Sequence, residues 1–292
     1  MESYLAKSAE VYDLIVLIGE AAGVYAKHFT DQHVVWDKAN VFTAFCLNSV
    51  VNLRDPRQRF KFLLNSALSY VWERRVLRLC DAVWVTAPEE SLRLERTFHR
   101  TADAVIRSSI RLPSTNPRSF NAGSRKIVWM STFAYPPNWD GLLRLLREAG
   151  DTLRSHNMKL CVVGAGASPE QIAILERFDV VEYLGFVAEL DEVFENAAAG
   201  VVPIWAGAGV KLKTLTMMSR GLPVVSTPSG MEGIPAAAAL RVAASSIELV
   251  EAVAQALPEE LERASVRAFN VLRESFSEQA FNRSVSLSIP RG

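Results

Sequence analysis

The second half of the chain alternates short apolar runs with stretches of helical period. Near-continuous apolar runs are typical of parallel strands that are buried on both faces. Strands are predicted at 126–131, 159–164, 180–185, 200–205, 223–227 and 240–243. Helices are predicted between them, at 139–149, 169–177, 190–198, 211–220 and 246–256. This alternation predicts a doubly wound α/β sheet, whose ligands lie beyond the carboxyl ends of the strands.

The first half is less regular, with strands predicted at 14–18, 34–36 and 82–86 and a long helix at 56–80. The apolar side of this helix would consist of Phe60, Leu63, Leu64, Ala67, Leu68, Val71 and Leu79, and its polar side would carry Arg57, Arg59, Lys61, Arg74, Arg75 and Arg78. Two interpretations are open. We predict that the apolar side packs on the first sheet with solvated arginines, the commoner arrangement. The alternative is contact with an anionic bilayer that carries a lipid-linked acceptor.

Composition narrows the function classes. The 32 basic and 32 acidic side chains cancel, and no nucleic-acid partner is expected. The three cysteines, at 46, 80 and 161, are odd in number, far apart and without C-x-x-C or His partner spacing, so we expect neither a disulfide scaffold nor a zinc site, which favours a reducing compartment. No apolar run reaches the roughly 20 residues that a membrane-spanning helix needs, and the first residues lack a signal-peptide pattern. We therefore expect a cytoplasmic protein, with a peripheral position at the inner membrane face as a further option.

The most specific stretch runs from residue 203 to residue 233. A predicted strand leads into a glycine-rich turn at Gly207 and Gly209, and a helix follows with Lys211 and Lys213 in its first turn. The positive end of the helix dipole disfavours cations there, so two lysines indicate that an anion is expected. A pyrophosphate fits this pattern. The alternative is an ordinary loop with solvated lysines, and the local chemistry leaves both open.

This stretch resembles the donor-binding segment of retaining glycosyltransferases of family 4, which have the GT-B fold. The matching positions are Gly207, Gly209, Val210, Lys211, Lys213, Leu215, Met217, Gly221, residues 223–227, Gly230, Glu232 and Gly233. Upstream, Phe186 and Val187 resemble the family's segment at the nucleotide base. Ser131, Thr132 and Asn138 resemble its entry loop after the first strand of the nucleotide domain.

The resemblance implies an α/β, GT-B-like fold with two Rossmann-like lobes of parallel sheets, the first lobe shortened. Residues 1–122 would form the acceptor-side lobe, residues 123–275 the nucleotide-sugar lobe, and residues 276–292 a helix that crosses back to the first lobe. The implied activity is that of a hexosyltransferase. It moves a sugar from a nucleotide diphospho-sugar to a saccharide or lipid-linked acceptor, with retention, in polysaccharide or glycoconjugate biosynthesis. No cofactor and no obligatory metal are implied.

The resemblance also implies roles for single residues. Lys211 and Lys213 would act in catalysis by stabilising the leaving pyrophosphate. The donor would contact Ser131, Thr132, Asn138, Phe186, Val187, Gly207, Gly209, Val210, Thr214, Leu215 and Thr216. Asp37 would lie on the acceptor side, with a helix-capping role as the equal alternative.

Three features depart from the family's pattern. Thr216 stands where the family has a glutamate that binds the donor ribose, and a hydroxyl cannot form the charge-assisted pair that a carboxylate forms. The first domain is short, and no basic residue lies between Ser131 and Asn138. The threonine and the short domain favour an alternative function, a catalytically inactive relative that acts as a nucleotide-binding or partner subunit.

Overall fold

The computed structural model describes residues 12–52, 56–117 and 120–289. Contacts within the chain divide it into two compact units. The first unit comprises Met1–Ser108, Ala206–Gly209 and Phe281–Gly292, and the second comprises Ser109–Trp205 and Val210–Ala280. The domain boundaries at residues 122 and 275 stay a prediction.

The first unit contains a sheet of four parallel strands. In chain order, and in sheet order, they are β1 (Leu14–Ile18), β2 (His33–Lys38), β3 (Ala82–Val85) and β4 (Ala104–Val105). The helices of this part of the chain are α1 (Phe42–Asn52), α2 (Pro56–Leu77) and α3 (Pro88–Phe98), and a 3-10 segment spans Ala21–His28. The predicted strands and the long helix are present, whereas α1, α3 and β4 were not predicted.

The second unit contains a sheet of six parallel strands. They are β5 (Lys126–Met130), β6 (Lys159–Val163), β7 (Val181–Gly185), β8 (Ala199–Val202), β9 (Val224–Ser226) and β10 (Arg241–Val242). Their order in the sheet is β10-β9-β8-β5-β6-β7. β8 ends earlier than predicted, because Pro203 has no N–H for the ladder. This sheet confirms the predicted doubly wound arrangement.

Helices cover both faces of the second sheet. They are α4 (Pro136–Ser155), α5 (Pro169–Leu175), α6 (Asp191–Glu195), α7 (Leu212–Ser219), α8 (Ser246–Ala254) and α9 (Pro258–Ser275), and α10 (Glu278–Ser288) follows. One core cluster joins the sheet to α4 and α8, for example through Leu145 and Leu249. A second cluster joins the other face to α7 and α9, for example through Met217 and Leu272. Two short 3-10 segments, Pro228–Met231 and Ala236–Ala238, complete the unit.

The packing of α2 differs from the prediction. The apolar residues Phe60, Leu63, Leu64, Leu68, Val71 and Leu79 are all exposed, and Ala67 is exposed as well. The inward side of the helix instead carries the buried polar residues Ser66 and Glu73, with Val76 and Leu77 at its end. The interpretation that the apolar side packs on the first sheet is therefore wrong.

The reason is a buried ion pair. Nζ of Lys38, at the end of β2, lies 2.6 Å from Oε1 of Glu73, and both side chains are fully buried. The Glu73 carboxylate also accepts hydrogen bonds from the backbone N–H groups of Phe42 and Thr43 at the start of α1. A buried carboxylate is stable only when it is paired and hydrogen-bonded in this way. These bonds fix which side of α2 faces inward.

Helices that span a membrane are long and almost entirely apolar. Within residues 12–52, 56–117 and 120–289, no helix combines the length and the apolar character needed to cross a bilayer. Cys46, Cys80 and Cys161 are buried and free.

Candidate functional site

The order of the second sheet defines where a ligand is expected. β5 pairs with β6 on one side and with β8 on the other, so the chain winds in opposite directions from β5. In open α/β sheets ligands bind at such a switch point, outside the carboxyl ends of the strands. The segments that follow β5 and β8 contain Ser131, Asn138, Lys211 and Lys213, so the predicted donor residues come from this edge of the sheet.

The segment after β8 is shaped by glycine. Gly207 and Gly209 have φ values of 127° and 76°, a region that side chains with a Cβ rarely adopt. Lys211 is the N-cap of α7, and the helix begins at Leu212, one residue later than predicted. Lys213 thus lies in the first turn, where the backbone N–H groups have no partner within the helix.

Lys213 extends from α7 to the residues that follow β5. Its Nζ lies 2.9 Å from Oγ of Ser131 and 2.6 Å from Oδ1 of Asn138, and it donates a hydrogen bond to each. Nδ2 of Asn138 donates in turn to the carbonyl of Thr132, at 2.8 Å. Asn138 is 5% exposed. The structure therefore brings together four of the predicted residues: Ser131, Thr132, Asn138 and Lys213.

The electrostatic setting of Lys213 is unusual for a lysine. Its two hydrogen-bond acceptors are neutral groups. Burial lowers the pKa of the Lys213 ammonium to about 7, and the positive charge of Lys211 adds to the effect. A buried cation is normally compensated by a carboxylate. Within the described residues no carboxylate is hydrogen-bonded to Nζ of Lys213, so an anionic ligand would supply the missing charge.

Lys211 has a different environment. Its Nζ lies 3.7 Å from Oε2 of Glu232, and both side chains are largely buried. Glu232 follows the 3-10 segment Pro228–Met231 after β9. The two lysines were predicted to act together, and the structure shows that one is paired with a carboxylate and the other with neutral groups. Of the two, Lys213 is the better placed to attract an anion.

Two close backbone approaches hold these segments in place. A Cβ atom on Gly164, just after β6, would lie 1.8 Å from the carbonyl oxygen of Ser131. A Cβ atom on Gly141, in α4, would lie 1.9 Å from the carbonyl oxygen of Pro203. Only glycine fits at such distances. Neither glycine was predicted to matter, although Gly141 lies inside the predicted helix 139–149 and such a glycine is a signal of close packing.

The side chains of the remaining predicted donor residues lie in different environments. Thr214 is buried and its hydroxyl donates to the carbonyl of Gly230 at 3.0 Å, and Leu215 lies in the core. These two residues could therefore contact a donor only through their backbone atoms. The hydroxyl of Thr216 donates to the carbonyl of Leu212 within its own helix, at 2.9 Å. Val210 packs against the second core cluster.

Phe186 and Val187 follow β7 at the same edge of the sheet. Phe186 is 75% exposed, and Val187 is partly buried against the second core cluster. Trp205 follows β8. Its Nε1 donates to the carbonyl of Ala244 at 2.9 Å, and the Arg144 guanidinium lies 4.2 Å from the centre of its ring. This tryptophan is therefore held by its own unit.

Asp37 belongs to the first unit, near the end of β2. Burial raises the pKa of its carboxyl to about 6, and the negative charge of Glu20 adds to the shift. Its Oδ1 atom is buried and has no hydrogen-bond partner among the described residues. The capping alternative receives no support, because the N–H groups of Phe42 and Thr43 at the start of α1 donate to Glu73.

A metal centre would require several ligating side chains close together. In the parts of the chain that the structure describes, no three His, Cys, Asp or Glu side chains are grouped so that they could hold a metal ion.

The chain is similar to a known family in sequence and to solved structures in fold. Residues 124–263 match the family model described as glycosyl transferases group 1. No curated protein matches the chain in sequence.

Similar solved structures share the fold across almost the whole chain. TarM has a TM-score of 0.72 at 15% identity, and the match covers 99% of this chain and 57% of TarM. HepE of Anabaena, solved with UDP and glucose, has a TM-score of 0.70 at 14% identity, with 98% and 80% covered. The trehalose 6-phosphate synthase of Burkholderia multivorans has a TM-score of 0.65 at 11% identity, with 98% and 74% covered. The chain thus spans little more than half the length of TarM.

These findings confirm the predicted GT-B-like α/β fold, whose first sheet has four strands. The segment with the switch point, Lys213 and its partners lies within the residues that the family model matches. The family match covers 140 of the 292 residues, just under half of the chain.

Proposed function

We propose that the chain is a glycosyltransferase of the hexosyltransferase type. It moves a sugar from a nucleoside diphospho-sugar to a saccharide or lipid-linked acceptor, with retention of the anomeric configuration. The observation that carries the proposal is the buried ammonium of Lys213, which has neutral partners at the switch point of a group 1 domain.

The chemistry of the leaving group explains why a lysine lies at position 213. When the glycosidic bond to the donor breaks, negative charge develops on the diphosphate. A fixed cation in a site shielded from water stabilises the transition state, in which the diphosphate carries more negative charge, more than it stabilises the bound donor. Lys213 supplies this cation in its protonated form, and its position is set by Ser131 and Asn138 before the donor arrives.

The start of α7 adds to this stabilisation. Its first-turn N–H groups and the positive end of its dipole favour an anion. Gly207, Gly209 and Val210 lead into this turn, and glycine in general allows a ligand to approach the backbone closely. Lys211 contributes a second positive charge, shared with Glu232. In the proposal these groups neutralise the leaving diphosphate, and no cofactor takes part.

The neighbours support a nucleotide-sugar donor. HepE has been solved with UDP, with UDP-glucose, and with UDP and glucose. We therefore take UDP as the first nucleotide to test on this chain.

We assign Asp37 to the acceptor side, where a carboxyl with a pKa of about 6 can exchange a proton with an acceptor hydroxyl. We place the enzyme in the cytoplasm and its product in polysaccharide or glycoconjugate biosynthesis.

One observation favours a second candidate function, a catalytically inactive relative that binds nucleotide or serves as a partner subunit. The hydroxyl of Thr216 is bonded to the carbonyl of Leu212 in its own helix. The resemblance places a ribose-binding glutamate at this position, and here the side chain is short and already engaged. Weaker binding of the ribose would lower the affinity for the donor without affecting the fold.

The test combines binding with turnover. UDP and GDP are titrated into the purified chain by calorimetry. UDP-glucose, UDP-N-acetylglucosamine and GDP-mannose are then incubated with it, and release of the nucleotide is measured with and without saccharide acceptors. Binding with turnover supports the enzyme, and the anomeric configuration of the product tests retention. Binding without turnover on any donor supports the inactive relative, and the absence of any nucleotide binding overturns both the enzyme and the nucleotide-binding relative.

A further inference from the structure

Helix α2 shows a continuous apolar surface to solvent. Phe60, Leu64, Leu68 and Val71 are between 50% and 69% exposed, although burial is the usual state of such side chains. Together with Leu63 and Ala67 they recur every three or four residues, which places them on one side of the helix. We call these six residues the outward stripe. A surface of this kind marks an interaction site.

The fold does not allow this stripe to turn inward. The opposite side of α2 carries Ser66, whose hydroxyl donates to the carbonyl of Thr43 at 3.1 Å. It also carries Glu73, which is bonded to Lys38 and to the start of α1. A rotation that buried the leucines would break these buried polar contacts, each of which is expensive to lose. The outward direction is therefore built into the fold.

Positive charge borders the outward stripe at both ends. Arg57, Arg59 and Lys61 are exposed on its N-terminal side, and Arg74, Arg75 and Arg78 on its C-terminal side. Between residues 56 and 80 the sequence has one acidic residue, Glu73, and it is fully buried in the pair with Lys38. The exposed charge of this segment is thus of a single sign.

An open cavity of about 400 Å³ continues the apolar surface beside Leu68. It is lined by the apolar residues Ala21, Phe42, Leu68 and Trp72, with Glu20 and Ser69 as its polar members. Phe42 and Leu47 of α1 are also exposed. The apolar area therefore extends from one helix to the next within the first unit.

We propose that α2 is a membrane-docking element, which lies along the surface of a bilayer containing anionic lipids. In this arrangement the outward stripe enters the boundary between headgroups and acyl chains, and the six cations contact lipid phosphates. The helix of 22 residues is about 33 Å long, enough for both cationic ends to reach the surface together. The purpose, access to a lipid-linked acceptor, rests on the proposed function, whereas the docking itself stands on α2 alone.

Charge decides between a bilayer and a second copy of the chain. A symmetric dimer would bring the same surface of two chains together. The arginines at the two ends of the stripe would then face one another with no exposed carboxylate of α2 between them. Lipid phosphates supply the opposite charge, and acyl chains supply the apolar environment.

The experiment is flotation of the purified full chain with vesicles. One set is pure phosphatidylcholine, and the other contains about 30% phosphatidylglycerol, a typical anionic mixture. The charge variant is Arg74→Gln/Arg75→Gln/Arg78→Gln, and the apolar variant is Phe60→Ser/Leu64→Ser/Val71→Ser. The matched controls remove the same number of charges, or three apolar side chains, from exposed positions of the second unit. They are Arg147→Gln/Arg263→Gln/Arg273→Gln and Ile247→Ser/Leu257→Ser/Val266→Ser.

We expect the wild type and both controls to bind the anionic vesicles and not to bind vesicles of pure phosphatidylcholine. Each cation near the surface changes affinity about fivefold, so the charge variant should bind on the order of a hundredfold more weakly. The apolar variant should also lose binding, with its thermal unfolding unchanged. Because the readout contains neither donor nor acceptor, it is independent of whether the chain proves to be a glycosyltransferase.

Three results would overturn the proposal. The first is a wild type that does not bind anionic vesicles. The second is binding that both α2 variants retain, which would place the contact elsewhere. The third is concentration-dependent dimerisation, seen by sedimentation, that the apolar variant abolishes while no vesicle binding occurs. That outcome would assign the outward stripe to a second copy of the chain.

Discussion

Nζ of Lys213 lies 2.6 Å from Oδ1 of Asn138, a residue 75 positions earlier in the chain. This contact joins the first turn of α7 to the first turn of α4, on the two sides of the switch point in the second sheet. The amide holds the ammonium in place without neutralising it. The hydrogen bond therefore keeps a charge available that a diphosphate can use.

Replacement of Lys213 by methionine should separate diphosphate binding from nucleoside binding. A hydrogen bond to a charged group contributes roughly 1.5–3 kcal/mol, so we expect UDP to bind about 10–100 times more weakly. Uridine should bind as it does to the wild type. Calorimetric titration measures both, with Lys159→Met, an exposed lysine of the same unit, as the control. Equal losses for UDP and uridine would remove the diphosphate role of Lys213.

Diphosphate binding should be accompanied by proton uptake above neutral pH. The pKa of Lys213 is about 7 in the free protein, so at pH 8 the side chain is largely uncharged. A diphosphate beside it favours the ammonium and raises that pKa, and the lysine takes up a proton. At pH 6 the lysine is already charged and takes up nothing. Affinity should accordingly fall as the pH rises from 7 to 9.

The measurement is calorimetry at pH 8 in buffers of different ionisation enthalpy. We expect the observed heat to vary with the buffer as for the uptake of about one proton in the wild type. The dependence should vanish in Lys213→Met. A wild type whose heat is independent of the buffer at pH 8 would show that Lys213 does not change its protonation on binding.

Thr216→Glu tests whether α7 presents this position to the donor. A carboxylate can bind two neighbouring hydroxyls of the ribose, so we expect UDP to bind several-fold more tightly. Inorganic pyrophosphate, which has no ribose, should not gain in this way. Leu212→Glu, which adds the same charge at an exposed position of the same helix, serves as the control. Unchanged UDP affinity would count against placing Thr216 at the ribose.

Two glycines of α4 should respond oppositely to alanine. A Cβ atom on Gly150 would have no neighbouring atom within 4 Å, so Gly150→Ala should stabilise the protein by about 0.5–1 kcal/mol through helix propensity. In Gly141→Ala the new methyl would meet the carbonyl of Pro203, so we expect a loss of at least about 1–3 kcal/mol. Urea denaturation measures both. Similar effects at the two sites would contradict the close approach at Gly141.

The effects of replacing Lys38 and Glu73 on the free energy of unfolding should be strongly non-additive. Lys38→Met leaves a buried carboxylate without its cation, which typically lowers the free energy of unfolding by about 3–5 kcal/mol. Adding Glu73→Gln removes that charge, so the double variant should be less destabilised than the sum of the single ones. Urea denaturation of the four proteins gives the coupling energy. Strict additivity would mean that the pair contributes nothing beyond its separate members.

The second sheet could be predicted well from the sequence, because its strands are buried on both faces and appear as continuous apolar runs. The glycine turn and Lys213 were also found, since glycine and a first-turn lysine are local signals. The partners of Lys213 were named as donor contacts. That its ammonium would be bonded to Ser131 and Asn138 could not be predicted, because the contacts span 82 and 75 positions.

The prediction failed where a long-range polar contact overrides hydrophobicity. The apolar side of α2 was expected inside, yet Glu73 takes the inward direction because Lys38, 35 positions away, pairs with it. Helices α3 and α9 were missed although each begins with a proline followed by two glutamates, which is a helix-start signal. In those two cases the information was present in the sequence.

The two sides of α2 have different roles. Ser66 and Glu73 on the inner side belong to the architecture, whereas the outer side carries the leucines and arginines. Natural selection can therefore vary the outer residues independently of the inner ones. Descendants of one ancestral chain can diverge in where they work without any change in how they fold.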